Sequence, residues 1–191
     1  MLKNIFYLVV YSKKSTFAAV FTKTRYIMKY VKWVFVVLLI CSLTSFVDKN
    51  RLTKGLNVGN VAPDFRIETT SSQQPRLSAL RGKYVLLSFW ASYDAASRLQ
   101  NAGLSHALRR SGSANVEMVS VSFDEYASVF NETIRMDQIV ATYCFADTQG
   151  EMSGLYKQYR LNRGFGNYLL DDNGVIVAKN ISAAELSAYL N

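Results

Sequence analysis

Tyr84-Val85-Leu86-Leu87-Ser88-Phe89 is a nearly uninterrupted apolar run, and it restricts the chain to few architectures. A strand with one wet face alternates apolar and polar side chains. A run apolar in both directions suits a central strand buried on both faces, in a sheet with helices packed on each side. The next residues, Trp90-Ala91-Ser92-Tyr93-Asp94-Ala95-Ala96-Ser97-Arg98, break that pattern and open a helix. Aspartate is among the best helix N-caps, and Ser97 suits the first turn. The helix is expected over Ala95–Arg110, with Leu104, Ala107 and Leu108 at helical spacing and Gly103 weakening its middle.

The remaining pattern extends the same design. Gly59-Asn60-Val61-Ala62-Pro63-Asp64-Phe65 opens the folded part, with Arg66–Glu68 as a short strand and Leu77–Lys83 as a helical turn with a glycine stop. Val116–Val121 reads as a strand. Asp124 is placed to cap a helix reaching about Met136, with Tyr126, Val129, Phe130 and Ile134 on one face. Thr142–Phe145 is a short strand and Glu151–Tyr159 a helix. Tyr168–Leu170 and Val175–Val177 flank Asp171-Asp172-Asn173-Gly174, a strong hairpin signal. Ser182-Ala183-Ala184-Glu185 is a capping box that opens a last helix to Leu190. The expected fold is α/β, a mixed sheet with helices on both faces.

The net charge of +8 over 191 residues is unevenly distributed. Seven basic residues (Lys3, Lys13, Lys14, Lys23, Arg25, Lys29 and Lys32) precede the first acidic one, Asp48. The rest of the chain carries 15 basic against 14 acidic groups. A nearly neutral domain lacks the basic footprint that phosphate binding needs, so nucleic acid is not an expected partner. The uncharged stretch Trp33–Val47 is short for a bilayer span but suits the apolar region of a signal peptide, with Lys29 and Lys32 before it. Met28 would make an ordinary start for such a signal, leaving residues 1–27 as an over-extended start or a membrane-facing segment. Leu38-Leu39-Ile40-Cys41 is similar to a lipoprotein lipobox, in which Cys41 would be acylated. An uncleaved anchor and a cleavage near Ser45 are the alternatives, and all three export the domain. The organisation is thus a leader over residues 1–47, a linker over 48–57 and a domain over 58–191.

Gly59…Ala62-Pro63-Asp64-Phe65, Leu77-Ser78…Leu80-Arg81-Gly82-Lys83, Val85–Ser92, Tyr159…Leu161 and Leu169-Leu170-Asp171…Gly174…Ile176-Val177 follow one another at a specific spacing. In that order they resemble the thioredoxin-like superfamily, the exported TlpA/ResA-type and AhpC/TSA-like redoxins in particular. The resemblance implies a thioredoxin-like fold over Val58–Leu190 and, in active members, thiol–disulfide exchange without a cofactor. That chemistry uses a cysteine whose thiol is acidified at a helix N-terminus and a second cysteine three residues on. Here Asp94 and Ser97 hold those positions. The family's cis-proline, which faces the motif and presents backbone to an extended substrate, corresponds to Phe165 in Arg163-Gly164-Phe165-Gly166. A cis bond before phenylalanine would cost about 3 kcal/mol, so a trans bond is expected there.

Tyr93, Asp94 and Phe165 are therefore expected to line one shallow groove, aromatic and partly apolar with one carboxylate, suited to a partner's extended segment. The plain structural reading of Asp94 is a helix cap. Cys144 is the one thiol beyond the leader; in a short strand it is expected buried and inert. His106, the sole histidine, is expected solvated on a helix face, and scattered carboxylates make no metal constellation. Gly164 and Gly166 make no phosphate loop, since no helix start follows them. These residues point to an envelope-located, membrane-tethered, non-catalytic module that binds protein or peptide. The alternative is a divergent thiol-disulfide oxidoreductase or redoxin of cell redox homeostasis, using Cys144 or a partner's thiol.

Overall fold

The computed structural model describes residues 30–39, 53–69, 74–112 and 115–189. The chain divides into two units, Met1–Arg51 and Leu52–Asn191. In the first, residues 30–39 are helical (α1), with Trp33, Phe35, Leu38 and Leu39 all exposed. Among the described residues, no helix is long and apolar enough to cross a membrane. Cys41 and the rest of the apolar leader to Val47 lie outside the described residues.

The second unit is built on a five-stranded sheet. Its strands are β1 (Tyr84–Trp90), β2 (Val116–Ser122), β3 (Tyr143–Ala146), β4 (Asn167–Leu170) and β5 (Ile176–Lys179), in spatial order β3-β2-β1-β4-β5. β1, β2 and β3 are parallel; β4 runs antiparallel to β1, and β5 to β4. The long apolar run is thus the central strand, and every residue of β1 except Tyr84 is buried. The helices are α2 (Ala95–Ser111), α3 (Ala127–Met136), α4 (Gly154–Gln158) and α5 (Ala183–Tyr189). This is the mixed α/β sheet expected from the pattern.

Alternation along β1 sorts the core into two. Val85, Leu87 and Phe89 join a cluster rich in rings: Phe65, Phe123, Phe145, Tyr156, Tyr159 and Tyr168. Leu86 joins Leu104 and Ala107 of α2, Met118, Leu169, Ile181 and Leu186 of α5. Burying each large apolar side chain contributes roughly 1.5–3 kcal/mol, so both faces of β1 anchor the domain. Gly103 does not break α2. A Cβ there would sit 3.9 Å from that of Ala183, where α2 packs on α5.

Four elements differ from expectation. Residues 66–68 form no strand in the sheet; Arg66 makes a single bridge to Arg76, and the Ile67 N–H bonds the Pro75 carbonyl. Only Ile67 of the three is buried, so the segment pairs with its own return rather than with the sheet. The expected helix over Glu151–Tyr159 is split into a 3-10 turn (Gly150–Met152) and α4. Ser153 restarts the helix by accepting from the Leu155 and Tyr156 N–H groups. α3 begins at Ala127 with no side-chain cap, because the Asp124 carboxylate turns inward. β4 begins one residue early, at Asn167, whose side chain exchanges hydrogen bonds with the Ile181 backbone. The capping box holds: Ser182 Oγ accepts from Glu185 N–H while the Glu185 carboxylate accepts from Ser182 N–H.

Candidate functional site

β1 ends at Trp90, and after four intervening residues α2 starts at Ala95. Asp94 is its N-cap in extended conformation (φ −99°, ψ 97°), and its Oδ1 accepts from the Ser97 N–H at 2.8 Å. One of the unpaired donors of the first turn is thereby satisfied. Ser97 is buried; its hydroxyl donates to the Asp94 carbonyl at 3.2 Å and accepts from the Ala91 N–H at 3.4 Å. Hydrogen bonds from the Ser97 N–H and side chain hold the Asp94 carboxyl below its usual range. Asp94 and Ser97 thus bond to each other and close the turn. Neither can form a disulfide.

Phe165 arrives from the other half of the chain. The register of β1 with β4 sets Ser88 opposite Asn167, and the Phe89 N–H bonds the Gly166 carbonyl at 3.0 Å. No described peptide bond is cis, so the Gly164–Phe165 bond is trans. Phe165 is half-buried and stacks on Phe123 (centroids 5.9 Å apart, 18° between planes). Tyr93 and Tyr156 stand edge-on to it at 6.3 and 6.2 Å. Tyr93 is 68% exposed. The structure therefore brings Tyr93 to Phe165, while the Asp94 carboxylate turns to the Ser97 N–H. It adds Phe123 and Tyr156, which sequence spacing did not reveal.

Asp124 was also missed. It is buried, and its carboxylate accepts from the Ser92 N–H (2.9 Å), the Ser92 hydroxyl and the Ser122 hydroxyl (2.6 Å). It pins the loop that precedes Asp94 to the end of β2. The signal was available: Val119, Val121 and Phe123 face the aromatic core, so the strand period sends Ser120, Ser122 and Asp124 to the other face. Beside this loop, Arg98 forms a two-pronged ion pair with Asp137 at 2.7 Å.

Cys144 lies in β3 opposite Ser120. Burial pushes its thiol up to about 11, partly offset by a hydrogen bond with Ser120. It is far from thiolate character at neutral pH. His106 is half-buried rather than solvated; its Nε2 lies 3.0 Å from the Asp137 carbonyl oxygen, a contact that requires Nε2 to carry the hydrogen. It serves the α2–α3 packing and lies apart from the groove.

Comparison with known proteins agrees with this architecture. The thioredoxin-like protein YneN of Bacillus subtilis is 28% identical over 129 residues, covering 64% of this chain and 70% of its own. The thiol-disulfide oxidoreductase ResA of Oceanobacillus iheyensis is 29% identical over 152 residues, 75% of each chain. The crystal structure of a thioredoxin-like protein from Parabacteroides distasonis superposes with a TM-score of 0.63 at 39% identity, covering 73% of this chain and 98% of that one. A thiol-disulfide oxidoreductase from Bacteroides fragilis gives 0.59 at 28% identity, covering 69% and 97%. With residues 58–179 matching the AhpC/TSA family on this sheet and helix order, the chain belongs to that family and has a thioredoxin-like fold.

Proposed function

We propose that this protein is a thioredoxin-like domain that has given up thiol–disulfide exchange at its ancestral site and binds an extended protein or peptide segment there. The observation that carries the reading is the closed Asp94–Ser97 pair at the head of α2, beside an exposed aromatic surface of Tyr93 and Phe165. The helix N-terminus that would acidify a thiol is occupied by a carboxylate cap. An exposed tyrosine next to a half-buried phenylalanine gives the rigid, amphipathic contact area that anchors partners. The leader fits export with membrane tethering: its basic residues precede an apolar stretch, Trp33–Val47, that contains Cys41. The envelope is the corresponding location, with residues 1–47 as leader, 48–57 as linker and 58–191 as the binding domain.

An oxidoreductase acting through Cys144 finds no support in the geometry, since that thiol is largely buried and raised to about 11. The decisive assay is reduction of insulin disulfides by the purified full chain, beside its Asp94→Cys/Ser97→Cys double variant. The wild type is expected inactive and the variant active, its new thiols lying at a helix start. Turnover by the wild type would overturn the proposal.

A further inference from the structure

The rings at the groove do more than offer apolar area. Phe165 is stacked against Phe123 and meets Tyr93 at 61° and Tyr156 at 82°; Phe123 and Tyr156 are buried, so Tyr93 and Phe165 are the rings of this cluster that a partner can reach. Two exposed carboxylates, Glu125 and Glu151, stand on the segments that carry Phe123 and Tyr156. Glu151 is exposed and stands five residues before Tyr156 in the chain. Glu125 is exposed too, and its Oε1 lies 3.9 Å from where a Cβ on Gly150 would stand, so Glu125 and Glu151 flank the same stretch of backbone. Asp94, next to Tyr93 in the chain, uses Oδ1 for its cap. Partial burial, and then Tyr156, Asp124, Glu151 and Glu125, raise the Tyr93 hydroxyl; no cation is among the groups that act on it. Ring faces attract cations through their quadrupole, and carboxylates at the rim add direct attraction.

We propose that the groove selects a lysine or arginine side chain of an extended partner segment, seated against Tyr93 and Phe165 and paired with Glu125 and Glu151. This rests on the peptide-binding reading and names the chemistry of the partner: a basic segment, to which an acidic rim is complementary. Neutral apolar segments would fill the same space without using the carboxylates.

The test is fluorescence-polarisation binding of capped, labelled heptapeptides of alternating serine and valine to the purified full chain, with arginine, norleucine or glutamate at the centre. The arginine peptide is expected to bind about tenfold more tightly than the norleucine one, from a cation–π contact plus rim ion pairs. The glutamate peptide is expected to be weakest. Raising the salt should narrow the gap. In the Glu125→Gln/Glu151→Gln variant the arginine preference should fall severalfold while norleucine binding is kept, and that retained binding shows the variant is folded. Equal binding of all three peptides would leave the groove reading standing but overturn the cation site, pointing to an apolar occupant such as a second copy. Absence of binding by any peptide would overturn both.

Discussion

The measurable effect of Asp94, the N-cap of α2, is on stability. An N-cap replaced by alanine costs about 1 kcal/mol, and Asp94→Ala is expected to lose about that much in urea denaturation at pH 7. The sign of the pH dependence follows from the lowered carboxyl. The cap's charged contribution is complete above the ordinary carboxylate value of 3.8 and is lost as pH falls through the lower folded value. The gap between wild type and Asp94→Ala should therefore shrink between pH 4 and pH 2, and Asp94→Asn should keep most of the cap without that dependence. Cys144 makes the complementary case. A thiol raised from 9.0 to about 11 has about a hundredfold less thiolate at pH 8 than one in the unfolded chain. Native-state reaction with a disulfide reagent should be slower than in denaturant by at least that factor. Comparable rates in the two states would return Cys144 to consideration as a reactive group.

At the level of elements, the junction between β1 and α2 depends on Asp124 more than on any residue of the motif itself. Its carboxylate collects three donors from Ser92 and Ser122, and truncation would leave those groups buried without an acceptor. Asp124→Ala is expected to cost about 2–4 kcal/mol, well beyond the loss at half-buried Asp94, with thermal denaturation as the readout. A cost no greater than that of Asp94→Ala would mean the loop is held by its packing alone. Asp124 also shows where sequence reading stopped. Its type and place before a helix made it look like a cap, yet strand alternation through Ser120 and Ser122 carried it inward. The strands, α2 with its Asp94 cap, the β4–β5 turn and the Ser182–Glu185 box were legible because each depends on neighbours within a few residues. The inward turn of Asp124 follows strand alternation, but its partner Ser92 lies 32 residues away, and tertiary packing selects a pairing of that kind where local pattern does not encode it.

Across the whole molecule, the groove is where four distant segments meet: Tyr93 before α2, Phe123 after β2, Tyr156 in α4 and Phe165 before β4. The family resemblance pointed to Tyr93, Asp94 and Phe165. Phe123 and Tyr156 became visible only when the order β3-β2-β1-β4-β5 brought their segments together. This assembly divides labour between two adjoining rings. Phe165 contacts three other aromatics and ties the β4 side of the sheet to the β2 side, so Phe165→Ala is expected to destabilise the fold by about 2 kcal/mol, less than a fully buried phenylalanine would. Tyr93, 68% exposed, has little to lose on truncation, and Tyr93→Ala should cost under about 1 kcal/mol. Their edge-on contact predicts a coupling of about 0.5–1.5 kcal/mol in a double-mutant cycle followed by urea denaturation. If the two single variants cost the same and show no coupling, Phe165 is not the joint between the halves of the sheet. If Phe165→Ala unfolds more readily while Tyr93→Ala stays folded and loses peptide affinity, the anchoring and recognising functions of the groove belong to different rings.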